Sequence, residues 1–259
     1  MVRFGHPERV ASPFVDYEAA ARAYARRRAP TRSGLDAWER AIGAHVRGAG
    51  TVVDLGAGAG GFSDALRSWG ARLVIAVEPS AAMRAEATPA SGIHQVAGRA
   101  EAMPLRHGCA GLVWISTAFH HFEDPAEAVL ECGRVLVDEG WVVVRGFVPG
   151  HSRLEWLELF PGWAKAVARF PDLEEMDRLF RQAGFHLVQD GLVEEARQSY
   201  GARAEFSRMM RRSDSILTAL SDAEVDAGIA ALQERRDQVE HLSLSCLVYG
   251  RGPRPRGPG

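Results

Sequence analysis

The chain has 259 residues, a formal charge of -2 and 46% apolar residues. That size allows one domain with a full core and appended segments, and the near-neutral charge supplies no basic field to draw the chain to nucleic acid. Cys109, Cys132 and Cys246 lack the spacing of a disulfide framework or a zinc site, no apolar run reaches membrane-spanning length, and Met1 to Arg9 has no apolar signal core, so a cytoplasmic chain without membrane span or metal is expected.

Residues 1–14 read as a flexible arm. From Val15, the residues Tyr17, Ala20, Ala21, Tyr24 and Ala25 fall at helical spacing, and Arg26-Arg27-Arg28 ends that helix before Pro30. A second helix is predicted from about Gly34 to Val46, with Leu35, Trp38, Ile42 and Val46 on one face. The β-branched run Thr51-Val52-Val53 then reads as a buried parallel strand, followed by Asp54-Leu55-Gly56-Ala57-Gly58-Ala59-Gly60-Gly61 and a helix from Phe62. Strand, glycine loop and helix in this order form the ligand-binding crest of a doubly wound α/β sheet. The glycines fit both G-x-G-x-x-G (Gly56, Gly58, Gly61) and the tighter G-x-G-x-G (Gly56, Gly58, Gly60). Asp54 separates the two readings, because a carboxylate there repels a pyrophosphate on the helix N-terminus and welcomes a cation.

Val52 to Gly60 resembles, without a gap, the hydrophobic-hydrophobic-Asp-Leu-Gly-x-Gly-x-Gly segment of class I S-adenosylmethionine (SAM)-dependent methyltransferases. SAM carries a positive ammonium and a positive sulfonium and has no phosphate. The resemblance implies a seven-stranded, Rossmann-like, doubly wound α/β sheet with its last strand antiparallel, SAM as cofactor and S-adenosylhomocysteine as product. It puts Asp54, Gly56, Ala57 and Gly58 at the donor. In many relatives a Tyr-containing N-terminal helix closes over the donor, which would make 15–47 a helical lid and bring Tyr24 to the site; a surface helix packed on the sheet edge is the equal alternative.

Leu73 to Val77 is the second predicted strand, ending at Glu78-Pro79-Ser80. An acid there is placed to accept hydrogen bonds from both ribose hydroxyls. Pro79 and Met83, in a helix capped by Ser80 and closed by Gly92, flank it. After the strand Ile93–Ala97, Gly98-Arg99-Ala100-Glu101-Ala102-Met103-Pro104 resembles the family's Gly-Asp-Ala-Glu-x-x-Pro adenine segment, with Arg99 in place of the aspartate. The Ala100 N–H is expected at adenine N1 with Glu101 beside it, and Arg99 either stacks on the ring or points to solvent. Leu112 to Ser116 is the fourth strand and brings Ser116 and Thr117 to the donor. His120 and His121 follow, where donor and acceptor meet in this family. They are the candidate catalytic residues, with His151 as another candidate base and a substrate-shaping role for His120 open.

Asp124-Pro125 is an N-cap and first-turn pair; Val137 to Gly140 replaces the family's proline turn, and Trp141 to Val144 is the fifth strand. A helix over Leu173–Ala183, a sixth strand from Phe185, a capping box at Ser221–Glu224 and a last strand over Ser243–Gly250 complete the domain, 15–250. Residues 147–170 and 200–240 are read as substrate-cap insertions whose Trp156, Phe160, Trp163, Phe206, Met209 and Met210 suit an apolar pocket or a satellite core. Residues 251–259 read as a disordered tail. The expected reaction is methylation of an O, N or C atom of a small-molecule metabolite by a monomer or homodimer. Methylation of RNA or protein, or a SAM-binding protein with a non-methylating reaction, are the alternatives.

Overall fold

The computed structural model describes residues 30–211 and 213–252. The arm at 1–14, the lid helix with Tyr24 and residues 253–259 of the tail lie outside the described residues.

The first described helix, α1 (Arg32–Ala49), starts where the Thr31 hydroxyl accepts the Gly34 N–H. It leads into the parallel strands β1 (Thr51–Leu55), β2 (Leu73–Val77), β3 (Ile93–Val96), β4 (Ala110–Ser116) and β5 (Leu136–Gly146). Short helices α2 (Ser63–Ser68) and α3 (Ala81–Glu86) and the longer α4 (Pro125–Val135) connect them. The long strands β7 (Phe185–Ser199) and β8 (Val239–Arg251) pair antiparallel to each other, and β8 runs antiparallel to β5. Sheet order is β3-β2-β1-β4-β5-β8-β7, the seven strands expected. An eighth, β6 (Arg153–Leu154), pairs with β8 beyond the end of β5.

Strand periodicity sorts the core into two layers. Val53, Val113, Ile115, Val142, Val144 and Leu247 face a cluster shared with α4 and α6 (Leu173–Gln182). Val52, Leu112, Trp114, Val143 and Val248 face Trp38, Ile42 and Val46 of α1 and Leu66 of α2. Each large side chain so buried contributes roughly 1.5–3 kcal/mol. The cap segments form a third cluster. The turn at Glu155–Leu159, α5 (Trp163–Val167), α7 (Tyr200–Met210), the turn at Leu217–Ala219 and α8 (Asp222–Glu234) bury Trp156, Leu157, Phe160, Tyr200, Leu217 and Ile229 together.

Several boundaries differ from the sequence reading for local reasons. Helix α3 ends at Glu86, well before Gly92, because Pro89 cannot continue it. The segment replacing the proline turn is a bulge inside β5, where pairing with β4 jumps from Leu136 to Trp141 and Glu139 takes φ 61. Arg251, assigned to the frayed tail, closes β8 opposite Phe185, and its guanidinium donates to the Gly133 carbonyl at the end of α4. Of the two cap methionines expected in an apolar pocket or satellite core, Met210 is buried and Met209 is exposed.

Gly111 shows how tightly α1 seats on the sheet, since a Cβ there would lie 2.3 Å from the Ala49 carbonyl oxygen. Gly111→Ala is expected to destabilise the fold by about 1–3 kcal/mol, read as a lower urea midpoint with an unchanged slope. An unshifted midpoint would contradict this packing.

Candidate active site

At the C-terminal ends of β1, β2 and β4 lies a cavity of about 610 Å³. Its floor is the glycine loop after β1. Gly56, Gly58 and Gly60 adopt φ of 72, 56 and 82°, whereas Gly61 is not among the positive-φ glycines, so the tighter G-x-G-x-G is the pattern the backbone uses. At Gly56 a Cβ would stand 2.5 Å from that of Ala118, and at Gly58 3.1 Å from the Met83 methyl. The Gly56 and Ala57 N–H groups donate to the Val77 carbonyl at 2.8 and 3.2 Å. Glu78 completes the grip: one carboxylate oxygen accepts the Gly58 N–H and the other the Ser80 N–H, both at 2.9 Å.

Asp54 is buried and accepts the Ser63 hydroxyl at 2.6 Å. Burial lifts its carboxyl to about 7; the Ser63 hydrogen bond pulls the other way, and the Glu78 charge adds a smaller upward push. Ser63 is a site residue that the sequence reading missed, since a serine in the first turn of a helix carries no signal of its own. Pro79, Met83, Arg99, Ala100, Glu101, Ser116 and Thr117 also line this cavity, so the predicted donor residues within the described chain come together around one space. Arg99 sits at the lip, where its guanidinium pairs with Glu123 at 2.5 Å and reaches Glu101 at 3.6 Å. Glu101 in turn accepts the Glu123 N–H at 2.8 Å, tying the adenine segment to the loop before α4.

A second cavity, of about 250 Å³, adjoins the first; Pro30, Phe62, Thr117, His121 and Arg145 line both. Thr117 holds φ 52, a left-handed conformation that costs a β-branched residue of order 1–3 kcal/mol. Its N–H donates to the Arg145 carbonyl at 2.7 Å, which holds the β4 end against β5. His120 lines only the second cavity, with Nε2 3.1 Å from the Ser215 hydroxyl and its ring 4.0 Å from that of His121. His151 lines neither cavity; its Nδ1 lies 2.8 Å from the Ser245 hydroxyl. Of the cap residues, Trp156 and Phe206 line the second cavity, whereas Phe160 and Trp163 belong to the satellite cluster.

Arg145 and Glu195 were not foreseen. Arg145 donates through Nε and Nη2 to both Glu195 oxygens, at 2.5 and 2.6 Å, and through Nη1 to the Ser116 hydroxyl at 3.0 Å. Glu195 also accepts the Trp38 indole N–H at 2.5 Å. An arginine at the end of the buried run Val142-Val143-Val144 was a usable sign, because such strands rarely end inside on an unpaired charge. Glu195 had no comparable sign, as its partner lies 50 positions away.

A family profile described as "Methyltransferase domain" matches residues 53–144. Among solved structures, a protein of Anabaena variabilis assigned as a methyltransferase of an antibiotic biosynthesis pathway aligns with TM-score 0.66 and 21% identity, over 86% of this chain and 98% of that one. A Galdieria sulphuraria protein assigned as a sarcosine dimethylglycine methyltransferase gives 0.59 and 14%, over 90% and 98%. Phosphoethanolamine N-methyltransferase 2 of Haemonchus contortus, in complex with phosphomonomethylethanolamine and S-adenosylhomocysteine, gives 0.58 and 14%, over 91% and 57%. No curated protein matches the chain in sequence. At these identities the structural likenesses show the fold. The chain thus carries a methyltransferase domain over residues 53–144, set within that fold. It is an enzyme that uses SAM as its cofactor.

The first cavity fits that cofactor. Its volume lies in the usual range of about 300–1,000 Å³ for a small-molecule site. The acids Asp54 and Glu78 on its floor suit a cationic nucleoside and oppose a diphosphate, while its arginines are engaged, Arg145 by Glu195 and Arg99 by Glu123.

The raised carboxyl of Asp54 sets a sign for pH dependence. Below about pH 7 the ligand-free site holds a neutral Asp54, and a cation favours its ionised form, so binding releases a proton. SAM affinity is expected to fall as pH drops through that value, by up to about tenfold per unit. Calorimetry in buffers of different ionisation enthalpy reads the proton directly, and Asp54→Asn should abolish its release. A pH-independent affinity in the wild type would contradict the assignment.

Proposed function

We propose that this enzyme methylates a small-molecule metabolite held in the second cavity, at an O, N or C atom. The observation that carries this reading is the shared wall: two cavities of different size meet at Thr117, His121 and Arg145. Bound SAM supplies a methyl group activated by its sulfonium and leaves as S-adenosylhomocysteine. In this reading Asp54 faces the cationic end of the donor, Glu78 meets the ribose hydroxyls, and the backbone at Ala100 with Glu101 meets the adenine. The glycine loop and Met83 close the floor.

Methyl transfer is a displacement in line, so the chain's main task is to hold two reactants in register and keep water away. Positioning of this kind is worth roughly 7–11 kcal/mol. Segments 147–170 and 200–240 serve as the cap: their satellite core holds Trp156, Phe170, Arg203 and Phe206 against the second cavity. His121 is assigned to take the proton where the acceptor's nucleophile carries one. His120, held near Ser215 and packed 4.5 Å from the Phe170 ring, shapes the acceptor wall. The small volume of the second cavity and the near-neutral charge of -2 favour a metabolite over RNA. Among the described residues no helix is long and apolar enough to cross a membrane. Cys109, Cys132 and Cys246 stand as free cysteines, and the chain is assigned to the cytoplasm.

Incubation with radiolabelled SAM and a metabolite extract should transfer label to a small product; label only in RNA or protein would overturn the reading. On that product, His121→Asn is expected to lower turnover by about 10²–10⁴-fold, with affinity for S-adenosylhomocysteine unchanged. An unaltered rate would remove His121 from the proton path.

A further inference from the structure

We propose that the second cavity selects an uncharged, flat acceptor, and that its two buried arginines are walls of the pocket rather than receptors for a substrate anion. This rests on the reading of that cavity as the acceptor site and adds the chemical class.

The two arginines are held alike. The Arg145 guanidinium has its edge on Glu195, and its face lies 4.9 Å from the Phe62 ring centre and 5.6 Å from that of Trp38. The Arg203 guanidinium has its edge on Glu240 at 2.8 Å, and its face lies 4.7 Å from Trp156 and 5.2 Å from Phe206. Each cation is therefore bound in its plane by a carboxylate and covered by two aromatic rings. The Glu240 oxygen that meets Arg203 also accepts the Gln198 amide at 2.6 Å. Besides Glu195, the acid lining the cavity is Asp214, which accepts the N–H groups of Ile216 and Leu217 at 2.9 and 3.2 Å and lies in the field of Arg169.

The pocket's charges are thus matched before an acceptor enters. An anion brought in meets cations already engaged, and a cation meets engaged carboxylates. Either would lose its hydration without a dedicated counter-ion, a penalty of several kcal/mol. What the wall offers is different. Phe147, Phe170 and Phe206 give aromatic faces, and Trp156 is buried with its indole N–H lacking a partner. At about 250 Å³ the space suits a one- or two-ring compound.

Three para-substituted phenols of similar size test this by calorimetry on protein saturated with S-adenosylhomocysteine at neutral pH: 4-hydroxybenzamide (uncharged), 4-hydroxybenzoate (anion) and tyramine (cation). The amide is expected to bind at least about tenfold more tightly than either ion. Phe147→Leu, which removes one aromatic face of the wall, should weaken the amide about fivefold, the worth of one aromatic contact, while affinity for S-adenosylhomocysteine stays unchanged and reports an intact fold. Equal or tighter binding of either ion, binding of none of the three, or an unchanged affinity in Phe147→Leu would each overturn the proposal. Failure of S-adenosylhomocysteine itself to bind the wild type would instead strike the donor-site reading.

Discussion

The grip of β2 on the glycine turn is the constraint from which the rest of the site follows. Three successive N–H groups of the turn, at Gly56, Ala57 and Gly58, are held by the last carbonyl of β2 and by the carboxylate just beyond it. Such a tight curl needs positive φ at alternate residues, and it brings Gly56 so close to Ala118 that no side chain fits between them. The loop after β4 is therefore seated against the loop after β1. That contact sets where Thr117 and His121 stand, and with them the boundary between the two cavities.

A second constraint runs across the other side of that boundary. Buried ion pairs are weak sources of stability, because desolvation offsets most of their attraction. The pairs Arg145–Glu195 and Arg203–Glu240 are better read as geometry. The first joins the end of β5 to β7 and, through Trp38, to α1; the second joins α7 to β8 beneath the cap. Both tie the walls of the acceptor cavity to rigid elements, so that the pocket's shape belongs to the sheet rather than to its loops.

How much of this was legible depended on whether the determinant was local. Strand, glycine loop and helix from Thr51 to Phe62 declared the crest of the sheet, Asp54 pointed to a cationic ligand and Glu78 to its ribose, because each signal spans only a few residues. The choice between two glycine patterns was not settled by spacing alone, yet it follows from which glycines carry positive φ. The cap insertions were recognisable by their aromatic content, but which of their side chains would line a cavity and which would pack with each other was not. Trp156 and Phe160 lie four positions apart and touch edge to face, yet only Trp156 lines the pocket. Arg145 and Glu195 escaped for the same reason: neither acquires a role until the register of β7 against β8 and the seat of α1 are fixed.

In the proposed site, one curled turn and two buried acids orient a cationic nucleoside so that its reacting end faces the second cavity. A crystal structure of the chain with S-adenosylhomocysteine tests it most directly. The ribose diol is expected on Glu78, the amino-acid end beside Asp54 and Gly56, and the sulfur at the wall formed by Thr117 and His121. A ligand reversed in the groove, with its ribose away from Glu78 and its sulfur turned from the second cavity, would contradict it.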